Sequence, residues 1–227
     1  MNILVIAPTP FFADRGTHIR ILEEALALEK RGHRITIATY HIGAPLPEYL
    51  HTKIDVRRIR RLLFWYKKLE AGPDWQKIIL DVMLIRKVFH LARTGKPDIL
   101  HGHLHEGVLI GWIVQKLLFW RKMKLVADFH GSLTKEMVSH QYLRTMGLHK
   151  IFLLIERFIN NLGDVAVASS WDNASDINAV RTKNVAQILL DGTRLSMFEA
   201  LPPSVDIRAT YHIPENKVLV TYTGALI

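Results

Sequence analysis

Short, apolar, β-branched runs alternate with helix-patterned stretches along most of this chain, and that alternation constrains its fold more than any other feature. Strand-like runs fall at residues 3–7, 34–40, 98–103, 124–130, 164–169 and 185–190, with a weaker one at 53–59. They read as apolar on both faces, so both faces are expected to be covered, as in a buried parallel sheet. Amphipathic stretches lie between most of them. Residues 18–31 place Ile21, Leu22, Ala25, Leu26 and Leu28 at helical spacing and stop at Gly32, and residues 75–92 repeat the pattern through Ile78, Ile79, Val82, Ile85 and Phe89. Further helices are expected at 107–120, 148–161 and 171–180. This regularity predicts right-handed βαβ units, hence an α/β, Rossmann-like, doubly wound parallel sheet with helices on both faces.

The alternation breaks after Asp191-Gly192-Thr193. An irregular stretch holding Pro202-Pro203 leads to a short helical pattern at 205–211 and a fresh strand-like run at 217–224, with only Ala225, Leu226 and Ile227 after it. Residues 1–200 read as one domain, and residues 201–227 as a linker and the first strand of a second, truncated α/β domain. The absence of cysteine removes disulfides, thiolate zinc sites and thiol catalysis, and it suits a reducing, cytoplasmic setting. No basic leader precedes the first apolar run, and no run reaches the ~18–20 apolar residues of a membrane helix. The net charge of +9 makes acidic partners the natural ones: phosphorylated small molecules, anionic lipid or nucleic acid.

Ligands of doubly wound sheets sit beyond the carboxyl ends of the strands, which directs attention to four loops. In the first, Arg15, Gly16 and Thr17 stand where helix one begins, and a helix N-terminus offers free amides and partial positive charge to a phosphate. A plain turn and helix cap would look the same. The second is His101-Gly102-His103-Leu104-His105, whose imidazoles would share one face if the strand continued. A metal site there would need a further ligand such as Asp128 or His130, and these histidines are read instead as lining a polar cleft. The third is Asp128-Phe129-His130-Gly131-Ser132, with Asp128 and His130 on one face of a strand end. His130 there can bond a substrate hydroxyl or phosphate or act as a base, while Ser132 also suits a helix cap. In the fourth, Ser169-Ser170 lies outside any nucleophile elbow, and Ser170 is a simple N-cap.

One segment stands apart. Arg57, Arg58, Arg60, Arg61, Lys67 and Lys68 surround Phe64, Trp65 and Tyr66, with no acidic residue until Glu70. The mixture suits an anionic membrane surface, and a solvated edge beside a core helix accounts for it equally well. RNA is set aside, since no nucleic-acid-binding signature accompanies the charge.

Taken in order, these pieces resemble the amino-terminal, acceptor-side domain of GT-B fold, family 4-like retaining glycosyltransferases. The residues that carry the resemblance are Gly16 before helix one, the run from Lys30 to Thr36, and the Pro97–His103 and Phe129-His130-Gly131 strand ends. The Asp164–Ser170 run, Leu190-Asp191-Gly192-Thr193 with Phe198, and Tyr222-Thr223-Gly224 complete the set. The resemblance implies transfer of a sugar from a nucleotide-diphosphate donor to a glycan or lipid-linked acceptor, with no cofactor and no metal. It implies that Gly16 and Thr17, with Arg15, approach the donor diphosphate and that His130 lies beside the reacting sugar, with His101, His103, Asp128 and Ser132 in the acceptor cleft. Arg15-Gly16-Thr17 departs from the family's paired glycines, and Asp191-Gly192 from its Asn-Gly. The setting implied is cytoplasmic, peripheral on the inner face of the membrane. The competing expectation is a non-catalytic sugar- or lipid-binding module that completes a partner subunit.

Overall fold

In the computed structural model, which describes residues 1–13, 16–62, 65–66, 75–139, 146–192, 195 and 205–221, the chain forms two units, Met1–Gly192 and Thr193–Ile227. The first unit runs β1 (Asn2–Ala7), α1 (Gly16–Lys30), β2 (Arg34–Thr39), β3 (Asp55–Arg58), α2 (Trp75–Gly95), β4 (Ile99–His103) and α3 (Leu104–Leu117). It continues through β5 (Lys124–Phe129), α4 (Leu133–Ser139), α5 (Met146–Asn160), β6 (Val165–Ala168), α6 (Trp171–Asn178) and β7 (Gln187–Ile188). All strand pairs are parallel, in the order β3-β2-β1-β4-β5-β6-β7. The strand order reverses between β1 and β4, and that switch point opens a crevice beyond their carboxyl ends.

Alternation across each strand sorts the side chains. Leu4, Ile6, Leu100 and Leu125 pack with Leu80, Leu84, Ile110 and Val114 of α2 and α3. Ile3, Val5 and Ala7 pack on the opposite face with Ile21, Leu22 and Ala25 of α1, and Ile99 joins that face. His101 and His103 follow Ile99 at period two, so β4 presents them to the α1 side. The α3 side is tight: a Cβ on Gly102 would stand 2.6 Å from the Gly107 carbonyl oxygen, and one on Gly107 would stand 2.8 Å from the Ile6 carbonyl oxygen. Glycine at 102 and 107 is what lets α3 start flush against β4 and β1. Gly102→Ala is therefore expected to cost about 1–3 kcal/mol, seen as a lower urea midpoint with an unchanged slope.

The seven strands expected between residues 3 and 190 form, each within a few residues of its sequence bounds. Helix α4 falls in a stretch that offers no apolar periodicity; Ser132 starts it by accepting the Lys135 N–H at 3.2 Å. Ser170 caps α6 in the same way, accepting from Asn173. The second unit holds α7 (Ile207–Thr210), capped by Asp206, whose side chain accepts from the Ala209 N–H at 3.0 Å. The strand expected at 217–224 is not formed over 217–221, where Val218 is 89% exposed; the rest of it lies outside the described residues. Among the described residues no helix is long and apolar enough to cross a membrane.

Candidate active site at the sheet's switch point

A buried charge cluster lies between α1 and the ends of β4 and β5. Asp128 has no exposed side-chain surface, and Arg20 of α1 reaches it with Nη2 at 3.2 Å and 3.4 Å from its two oxygens. The same guanidinium stands 3.0 Å from Glu24, one turn along α1, and donates through Nη1 to Asp191 at 2.7 Å and to the Leu189 carbonyl at 2.8 Å. Arg20 thus joins the first helix, the centre of the sheet and the segment after β7 while only 4% of its side chain is exposed. Burial works against its charge, and Asp128, Glu24 and Asp191 more than offset this, so its pKa rises.

Histidines close the other side. His101 Nε2 lies 3.4 Å from Asp128, and His103 Nδ1 lies 3.1 Å from His130 Nε2, so the last two imidazoles share a proton along one hydrogen bond. Burial drives His103 far below the ordinary histidine range and pushes His130 down to about 4. Burial also favours the acid form of Asp128, but the His101 hydrogen bond and the surrounding imidazoles outweigh it and hold its pKa far below the carboxylate range. The result at neutral pH is an ionised Asp128 paired with Arg20, beside neutral His103 and His130.

Glu24, His101, His103 and Asp128 bring one ligand-type atom each within 4.8 Å of the others. Arg20 enters this group as its cation. One arginine already neutralises Asp128, so burial and the Asp128 charge push Glu24 up to about 9, and it keeps its proton. Its ordinary pKa is 4.5, so between 4.5 and about 9 the folded state binds more protons than the unfolded chain at this site. Stability from this group, complete below 4.5, is lost as pH rises towards 9. Thermal melts between about pH 7 and 9 are expected to lose on the order of 2 kcal/mol, and Glu24→Gln, a mimic of the protonated acid, flattens that slope. An unchanged slope in Glu24→Gln would show that the proton resides elsewhere. His130 acts in the opposite sense: its depressed pKa makes stability fall as pH drops from 6.5 towards about 4.

The β1–α1 connection completes the crevice. Gly16 is the first residue of α1, exposed, and a Cβ added there would meet nothing within 4 Å. Thr17 follows it in the first turn, and Arg15 lies outside the described residues. Buried His18 anchors the loop, its Nε2 bonded to the Thr9 hydroxyl and its Nδ1 3.1 Å from the Ala13 amide nitrogen.

Two expectations need correction. His105 does not share a face with His101 and His103, because Leu104 turns into the left-handed region at φ 61° and starts α3. His105 packs on Phe129 and sits 3.8 Å from Glu156 instead. The basic aromatic segment also divides. Arg58 turns inward and donates to the carbonyls of Phe11, Ile42 and Ala44, and Tyr66 joins the α2–α3 core. Arg57 pairs with Asp55, Arg60 and Arg61 are exposed, Trp65 is 55% exposed, and Phe64, Lys67 and Lys68 lie outside the described residues. Arg20 and Glu24 escape the sequence: their i, i+4 spacing is the ordinary pattern of a helix surface, and only their place beside the Ile21 and Ala25 core positions hints at burial.

A parallel sheet that reverses its strand order between β1 and β4, with a histidine–carboxylate cluster at the strand ends there, defines a Rossmann-like, doubly wound domain. Residues 15–186 match the Glycosyltransferase Family 4 model, and the chain belongs to that family. Sucrose-phosphate synthase from Thermosynechococcus elongatus superposes with a TM-score of 0.69 at 14% identity, covering 95% of this chain and 53% of that one. The S. aureus MnaA–UDP co-structure superposes with a TM-score of 0.52 at 14% identity, covering 93% and 50%. At such identity they show the fold alone, and the chain spans about half the length of each. No curated protein matches it in sequence.

Proposed function

We propose that this chain is the acceptor-side half of a retaining glycosyltransferase that moves a sugar from a nucleotide-diphosphate donor to a lipid-linked or envelope glycan. The observation that carries the reading is Gly16: it opens α1, one turn before Arg20, with empty space where a side chain would stand. Amides of a helix N-terminus stabilise the charge of a departing diphosphate, and a glycine lets that diphosphate approach the backbone. The buried cluster carries its own cation in Arg20, so the reading asks for no metal or cofactor. Residues 201–227 are read as the link to a donor-side domain, by analogy with relatives twice as long. Exposed Arg60, Arg61, Leu62 and Trp65 suit an anionic membrane on its cytoplasmic face.

The test uses UDP and GDP binding by calorimetry, and transfer of labelled sugar by the protein as its gene encodes it. Gly16→Ala is expected to leave the urea midpoint unchanged, because its methyl meets no neighbour, and to weaken diphosphate binding about tenfold or more. Equal binding by wild type and Gly16→Ala removes the diphosphate from this helix end. Binding without transfer favours the non-catalytic module.

A further inference from the structure

Helix α5 is apolar on the side that faces solvent. Leu148, Ile151, Ile155 and Phe158 recur at helical spacing and share one face, and Leu154 lies beside them. Leu154 is 64% exposed, Ile151 52%, and the other three between 42% and 49%. One exposed apolar side chain is ordinary, but five along one helix form a patch that another body covers. The acid of this helix is turned the other way: Glu156 is 7% exposed and accepts the Thr134 N–H at 3.1 Å. The charges left on the exposed side of α5 are Lys150 and Arg157, two turns apart along one flank of the stripe.

We infer that α5 is an interfacial helix that lies on an anionic membrane, its apolar face among the acyl chains and Lys150 and Arg157 among the headgroups. With 15 residues it rests on a bilayer rather than crossing one. Charge selects this occupant. The α5 face of a second copy would bring the same two cations and no exposed acid to meet them, so self-pairing through this helix is opposed. An anionic bilayer supplies both an apolar interior and a negative layer above it. The groove of about 490 Å³ between α2 and α5 is a different environment, lined by Asp81, Glu106 and Glu136 against Lys77. Anionic headgroups stay out of it, and the contact is made by the outward stripe of α5. The inference needs no transferase activity, and it adds a second, helical element to the membrane contact proposed for Arg60, Arg61, Leu62 and Trp65.

Cosedimentation tests this, using the protein as its gene encodes it and vesicles of phosphatidylcholine with or without phosphatidylglycerol. Binding is expected to need phosphatidylglycerol and to weaken as salt rises. Ile151→Gln with Leu154→Gln is expected to weaken it about tenfold or more. Both side chains are more than half exposed and glutamine keeps the helix, so Tm is expected to stay at the wild-type value. Lys150→Gln with Arg157→Gln is expected to remove most of the preference for phosphatidylglycerol. Equal binding to neutral vesicles, or unchanged binding in the Ile151→Gln, Leu154→Gln variant, overturns the inference. So does a dimer in sedimentation velocity that the same variant dissolves, which would assign the face to a second copy. Arg60→Gln with Arg61→Gln separates the two surfaces. Binding lost in that variant and unchanged in the Ile151→Gln, Leu154→Gln variant removes α5 and leaves the earlier contact alone. Vesicle binding without UDP or GDP binding sinks the transferase reading and leaves the α5 contact standing.

Discussion

Asp128→Ala is expected to lower folding stability by about 3–5 kcal/mol, because it strands a buried arginine. Arg20 reaches Asp128 with one nitrogen and Asp191 and the Leu189 carbonyl with another, and 4% of its side chain meets solvent. Asp191 is 72% exposed and does little to replace a fully buried partner. Glu24 decides where in that range the loss falls. It lies 3.0 Å from Arg20 and keeps its proton because burial and Asp128 oppose its ionisation. Once Asp128 is gone the second of those causes vanishes, and Glu24 can ionise to take over the guanidinium. Asp128→Ala alone should therefore fall near 3 kcal/mol, and the Glu24→Gln, Asp128→Ala double variant should lose more than the sum of the singles. Urea denaturation of the four proteins in the cycle measures the coupling. Additive losses would mean that Arg20 does not hand its charge from one carboxylate to the other.

That exchange also marks the limit of what the sequence makes legible. The strands and the large helices are readable because burial on both faces leaves continuous apolar runs and helices leave a 3.6-residue stripe. Asp128, His101, His103 and His130 are readable as strand-end polar residues in a fold whose ligands sit at strand ends. Arg20 and Glu24 escape because a charged residue in an amphipathic helix is ordinarily solvated, and only the sheet's register puts Asp128 beneath them. His105 misleads for a local reason: one residue, Leu104, leaves the extended region and ends the period-two pattern. Arg58 and Tyr66 mislead differently. A cation and an aromatic in a basic run look like surface, but carbonyls from the β1 loop and residues 42 and 44 claim the first, and the α2–α3 core claims the second.

On the proposed reading, His130→Ala is expected to lower kcat/KM for sugar transfer by about 10²–10³-fold, the loss typical of removing one oriented hydrogen-bond partner from a charged transition state. Its Nε2 is engaged by His103 at 3.1 Å, and its Nδ1 is buried with no partner. One nitrogen orients the ring and the other remains for a sugar hydroxyl or the departing phosphate. Because burial pushes its pKa down to about 4, the ring stays neutral through the physiological range and acts by hydrogen bonding rather than by charge. The rate profile of the wild type is thus expected to show no break from this residue between about pH 5 and 8. His130→Gln, which keeps an amide donor and acceptor without a titrating ring, is expected to recover part of the loss with the same flat profile. A rate change under threefold in His130→Ala places the ring outside the reaction. A wild-type break near pH 6.5 that disappears in His130→Gln points the other way, to a ring that takes up a proton, and so to an environment far wetter than the closed contact with His103 and Asp128 provides.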